Sequence, residues 1–148
     1  MSSMNELYRQ VIVEHFKNPR NKGLKNTDEY TKLRLKNPSC GDDVTIEVKI
    51  KDHHIEEIHH EGTGCSICCS SASVMSEVVK GKDIEEVQEV IEDFYNLIKG
   101  EDVTDEERLD EAMAFGGVAQ FPARMKCAIL AWKALGTILA GKSGEEDV

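Results

Sequence analysis

The sequence predicts an α+β domain: a small antiparallel sheet of about three strands, helices packed on one of its faces, and a helix at the N-terminus. Three observations carry this reading. Strand-like alternation is confined to residues 32–60, helical spacing fills the chain before and after that stretch, and the best strand is apolar on one side only. An antiparallel sheet with one apolar face needs a cover, and the later helices are the segments that supply it.

The first helix runs from Met4 to Phe16, with Leu7, Val11 and His15 on one face and Ser3 or Asn5 as caps. It stops before Asn18-Pro19, because the residue before proline avoids the helical region. A short strand spans Lys32 to Lys36. Val44 to Ile50 is the clearest strand: Val44, Ile46, Val48 and Ile50 point to the core, and Thr45, Glu47 and Lys49 to water. Lys51-Asp52-His53 is a hairpin turn, and Ile55 to His60 returns antiparallel. Gly62 and Gly64 then end the strand region, and Cys65 heads a helix with Ala72, Met75 and Val79 on one face. Asp83 caps the next helix, which Gly100 stops. Thr104 starts a short acidic helix carrying Leu109, Ala112 and Met113, and Pro122 opens a last helix that continues to Gly141. Residues 1–148 read as one domain, with a flexible tail from about residue 142.

Composition narrows the function. Eighteen basic residues stand against 28 acidic ones, a net charge of −10, which argues against nucleic acid or an anionic membrane as the main partner. No apolar run approaches the roughly 18 residues that span a bilayer, and MSSMNELYRQ lacks the order of a signal peptide, so the expectation is a soluble cytoplasmic protein. The five cysteines, at 40, 65, 68, 69 and 127, are an odd count that points to metal or thiol chemistry rather than a disulfide framework.

Cys65 at a helix N-terminus would meet unpaired N–H groups that favour a negative sulfur, or it is a small buried side chain. Cys40 lies in the Ser39-Cys40-Gly41-Asp42-Asp43 loop, and Cys127 within the last helix. Only the fold can bring these three together. Three thiolates and the Asp42 carboxylate make a tetrahedral zinc set, although Asp42 alone reads equally well as a turn residue. Such a set leaves two negative charges on a zinc centre. Arg124 and Lys126 flank Cys127 and would offset them, unless they are merely solvated helix charges. Cys68 and Cys69 read as buried small side chains, with Cys68 one turn from Cys65 and placed to compete as a ligand. His53, His54, His59 and His60 read as solvated strand and turn residues, and His15 as packed inside the first helix's interface.

The stretches HFKNPRNKG, NPSCGDDV, EGTGCSICCSSAS and VAQFPARMKCAILAWKAL resemble the IscU-like family of iron–sulfur assembly proteins, and specifically its SufU branch. Lys126 stands where scaffold members carry histidine, and the acidic run Gly100 to Glu111 resembles the insertion of the SufU type. The resemblance implies zinc ligation by Cys40, Asp42, Cys65 and Cys127, with Arg124 as a nearby basic residue. It implies a zinc-dependent sulfur acceptor whose partner is a pyridoxal-phosphate cysteine desulfurase of the SufS type. In that scheme a histidine of the partner displaces Cys40 from zinc, Cys40 receives the sulfur, and downstream iron–sulfur assembly proteins take it onward. The alternative is a scaffold on which a [2Fe–2S] cluster is built. Lys126 speaks for the first, since lysine does not replace an imidazole ligand.

Overall fold

The computed structural model describes residues 3–39, 41–141 and 144–147. Helix α1 (Ser3–Lys17) leads through a loop into strands β1 (Thr31–Asn37), β2 (Asp42–Lys51) and β3 (His54–Thr63). Helices α2 (Ser66–Val79), α3 (Ile84–Lys99) and the short α4 (Glu106–Leu109) follow. A 3-10 segment (Asp110–Gln120), helix α5 (Pro122–Leu139) and a short strand β4 (Gly144–Asp147) complete the chain. The sheet order is β3-β2-β1-β4, with the first three strands antiparallel and β4 parallel to β1.

The hairpin between β2 and β3 has the predicted place and a tight form. Lys51 pairs with His54, and Asp52 and His53 both take positive φ, 53° and 65°. A two-residue turn with both central residues left-handed matches the twist of the strands it joins. Leu33, Leu35, Val44, Ile46, Val48 and Ile58 are each at most 3% exposed, on the face that α2 and α5 cover. Beyond the sheet the core is aromatic. Phe94 of α3 stacks on Trp132 of α5 with ring centroids 4.0 Å apart, and meets Phe115 of the 3-10 segment edge-on at 6.0 Å. Trp132 gives its indole N–H to Ser71 Oγ at 2.9 Å, so its one polar atom is satisfied inside the core.

Four expectations change. Ile50 is 41% exposed rather than buried, because a register shift between Lys49 and Ile50 turns it off the apolar face. Glu47 is fully buried although it lies on the face expected to be wet. The loop between α1 and β1 folds over that face: Lys25 N–H donates to Glu47 at 2.6 Å, Asn26 N–H at 3.3 Å, and His59 Nδ1 lies 3.0 Å away. Beside it Tyr30 donates its hydroxyl to Glu57 at 2.6 Å, and that bond pushes the phenol pKa up to about 12. His60, expected in solvent, is 4% exposed on the helix-covered face, opposite Ile46. Its Nε2 donates to Arg20 O at 2.7 Å, and burial holds the imidazole below its ordinary pKa. Finally, part of the expected loose tail, Gly144–Asp147, runs along β1, where an otherwise open strand edge offers its main-chain groups.

Two other readings hold. His53 and His54 are exposed, and His15 is 1% exposed in the α1 interface, with Nδ1 2.7 Å from Ser73 Oγ and Nε2 2.8 Å from Glu111. The acidic insertion is tied down by Asp93, which is 3% exposed. It accepts the N–H groups of Thr104 and Asp105 at 3.1 and 3.2 Å and pairs with Arg108 at 3.2 Å.

Candidate metal centre

Three elements converge at the end of the sheet where β2 begins and β3 ends. Asp42 opens β2, Cys65 is the N-cap of α2 just after β3, and Cys127 lies in α5. Their ligand atoms all fall within 4.8 Å of one another, and Asp42 and Cys127 are 2% and 0% exposed. Zinc bonds of about 2.0–2.3 Å put the donors of a tetrahedral site close to that spacing. Two thiols and a carboxylate, brought together with little solvent, suit a metal cation better than any alternative role for the set. Cys40 lies outside the described residues. Its neighbours Ser39 and Gly41 belong to the loop joining β1 to β2, directly before Asp42.

The local sequence explains this convergence. Asn37, 1% exposed at the end of β1, pairs in register with Asp42. Its side-chain oxygen accepts the N–H and hydroxyl of Ser39 at 3.3 and 3.0 Å, and its carbonyl accepts Gly41 N–H at 3.0 Å. Asn37 therefore shapes the loop, a role the sequence reading missed although Asn-Pro-Ser is a turn signal. At β3's end the backbone passes so close to β2 that side chains do not fit. A Cβ on Gly64 would collide with Asp42 Oδ1, and one on Gly62 with the Asp43 carbonyl. That contact leaves Cys65 N–H free to donate to Asp42 Oδ1 at 3.1 Å. One hydrogen bond thus fixes a donor carboxylate against a donor cysteine.

Charge supports the arrangement. Arg124 sits one turn before Cys127 on α5, and its guanidinium hydrogen-bonds the Cys127 and Cys65 sulfurs, contacts that raise its own pKa. Lys126, expected to help, is exposed and lines a different groove with Tyr95, Lys99 and Ile129, toward α3. Asp43 points elsewhere as well. Arg34 Nε donates to it at 3.0 Å across the sheet, and this bond lowers the carboxyl pKa. Cys68 is 2% exposed and belongs to the core. Cys69 departs from the expected burial: it is partly exposed and lines a cavity of about 60 Å³.

A helical cover on one face of a short, mainly antiparallel sheet, with an acidic oxygen and two cysteines joined at one end, defines a class: small α+β proteins with a thiol-rich candidate metal centre. The chain belongs to the family of NifU-like N-terminal domains, whose model matches residues 7–128. It is 41% identical over 143 residues to the zinc-dependent sulfurtransferase SufU of Bacillus subtilis, covering 97% of this chain and 96% of that one. It is 38% identical over 135 residues to the iron–sulfur cluster assembly scaffold protein IscU of Streptococcus pyogenes, covering 91% and 84%. Among solved structures, a candidate scaffold protein for the SUF system of Fervidobacterium islandicum superposes with a TM-score of 0.80 at 32% identity, covering 94% and 99%. No helix among the described residues is long and apolar enough to cross a membrane.

Proposed function

We propose that the chain is a zinc-dependent sulfur acceptor. It takes sulfane sulfur from the persulfide of a pyridoxal-phosphate cysteine desulfurase of the SufS type and passes it toward iron–sulfur cluster assembly. The observation that supports this most is the convergence of the Asp42, Cys65 and Cys127 donors within 4.8 Å, under the guanidinium of Arg124. Cys40, two residues before Asp42 in sequence, is the fourth ligand in this reading. Zinc held by these four residues would keep the cysteines as thiolates at neutral pH.

Cys40 is the acceptor in this reading because Cys65 heads α2 and Cys127 lies within α5, so moving either sulfur off the metal works against helical backbone hydrogen bonds. Its thiolate attacks the outer sulfur of the donor's persulfide. A new S–S bond forms at Cys40, the donor's S–S bond breaks, and the donor cysteine leaves as a thiolate. Cys65 and Cys127 stay as anchors, with Arg124 balancing their charge. Lys126 adds positive potential only at longer range, where salt screens it.

The scaffold reading has support in the 38% identity to a protein named as a scaffold, and differs in its cargo, a [2Fe–2S] cluster. Metal analysis of protein purified without added metal separates the two. The sulfur-acceptor reading expects one zinc per chain and no iron, with Cys40→Ser abolishing stimulation of the desulfurase while leaving the fold intact. Iron and acid-labile sulfide in place of zinc would overturn it.

A further inference from the structure

We propose that Ser71 is a positioning residue of the metal centre: its hydroxyl ties α2 to α5 and so sets the spacing of the Cys65 and Cys127 sulfurs. This rests on the metal-centre reading above.

Three donors on three elements need two links to hold their places. The first is the bond from Cys65 N–H to Asp42 Oδ1 at 3.1 Å, which joins the head of α2 to β2. It leaves α5, and Cys127 with it, to be placed by something else. Ser71 supplies the second link. Its Oγ donates to the carbonyl of Ala128, the residue after Cys127, at 2.6 Å, and accepts the indole N–H of Trp132 at 2.9 Å. Ala128 and Trp132 stand one turn apart on α5, so a single hydroxyl holds that helix at two points. Two points restrict both the slide and the roll of α5 against α2.

The other serines buried in α2 face elsewhere. Ser70 bonds to Ser66 O within its own helix. Ser73 meets His15 and the N–H of Arg20, and Ser76 meets Asn21 and the Arg20 carbonyl. Ser71 is the one of the four that reaches the helix carrying Cys127. A serine costs more than an alanine at a buried helical position, in helix propensity and in desolvation of the hydroxyl. The two bonds to α5 offset that cost.

Burial and direction make the link a precise one. Ser71, Cys127, Ala128 and Trp132 are each 0% exposed, out of reach of bulk water. Apolar contacts also join α2 to α5, but the burial of apolar surface has no preferred direction, whereas a hydrogen bond weakens steeply off its axis. Ligand distances in a zinc site hold to about 0.2 Å, so the sulfurs must arrive nearly in place. Ser71 lies six residues, about 9 Å, along α2 from Cys65, and the helix carries any shift at the link to that sulfur.

The test uses the full chain, stripped of metal and titrated with cobalt(II), whose charge-transfer band with thiolates reports sulfur ligation. Ser71→Ala removes one atom and both bonds to α5, and alanine favours the helix, so the variant folds. Its cobalt affinity should fall about tenfold, and the band per bound cobalt should lose intensity. Ser73→Ala is the control: it removes an equally buried hydroxyl of the same helix, turned toward α1. It should unfold at lower denaturant than wild type yet keep the wild-type cobalt affinity and band. Wild-type affinity and band in Ser71→Ala, or the same losses in Ser73→Ala, overturn this proposal alone. A wild-type chain that shows no thiolate band with cobalt overturns the metal-centre reading, and this proposal with it.

Discussion

Strand β2 buries two carboxylates that do opposite things. Asp42 at its start and Glu47 in its middle are 2% and 0% exposed, and each faces a neighbouring segment of chain. Glu47 meets two main-chain N–H groups of the loop that it pins to the sheet and the imidazole of His59 on the neighbouring strand. Asp42 accepts the main-chain N–H of Cys65 and lies beside the Cys65 and Cys127 sulfurs. A buried carboxylate among hard N–H donors is a structural fastener, since its charge is already matched. One set against thiols is matched by a cation that both kinds of donor bind. Burial alone does not distinguish the two; the chemistry of the partners does.

The largest effect in this comparison is expected at the sulfur side. Cys127→Ser and Cys65→Ser should lose stoichiometric metal and several kcal/mol of stability, because binding energy at such a site is partly folding energy. Metal analysis together with thermal unfolding, with and without a chelator, checks this. A chelator should lower the melting temperature of wild type and leave that of either variant unchanged. Equal chelator sensitivity would mean that these cysteines hold no metal.

Glu47→Ala should cost about 1–3 kcal/mol, since it leaves the Lys25 and Asn26 N–H groups without their acceptor inside the folded protein. Denaturant unfolding reads the loss, and metal content should stay at the wild-type value. A variant that also lost metal would show that the middle of β2 and its metal-centre end are coupled.

Gly64→Ala tests the close approach that joins Cys65 to Asp42. The added Cβ meets Asp42 Oδ1, so the carboxylate must move, and metal affinity should fall about tenfold or more, the size of effect seen when outer supports of a metal site are disturbed. Gly117→Ala meets nothing within 4 Å and serves as the control. Competition with a metal-binding dye measures both variants.

The smallest effect belongs to Asp43, next in sequence to Asp42 and tied instead to Arg34. The Arg34 hydrogen bond lowers its folded-state pKa, so its contribution is present above the unfolded value of about 4 and disappears as the pH falls through the lowered one. The pair is partly exposed, so Asp43→Asn should cost only a few tenths of a kcal/mol near neutrality. That difference should vanish in acid. Urea midpoints at the two pH values test it, and a loss of metal in Asp43→Asn would assign the carboxylate to the wrong neighbour.

What was legible in the sequence follows from local physics. The hairpin at Asp52-His53, the cap at Asp83, the stop at Gly100 and the Pro122 start all depend on backbone preferences of a few adjacent residues, and each lies where the pattern put it. The alternation of β2 also held up to the point where a register shift, invisible in the side-chain order, turned Ile50 outward. The burial of Glu47 and His60 was not legible, because the loop that covers them comes from residues 20–26 and its path is set by contacts with β2 and β3.

The same division runs through the candidate site. The sequence by itself determined which side chains are able to bind a soft metal and that Cys65 would head a helix, because side-chain chemistry and capping are local properties. Only the tertiary structure decided that Asp42 rather than Asp43 faces the sulfurs, that Arg124 rather than Lys126 reaches them, and that Cys69 opens on a cavity while Cys68 is sealed in the core. Each of those pairs is adjacent in sequence and nearly identical in chemistry. Strand alternation and the roughly 100° step of a helix send the two members of a pair to different surroundings, and which surroundings these are depends on elements far along the chain.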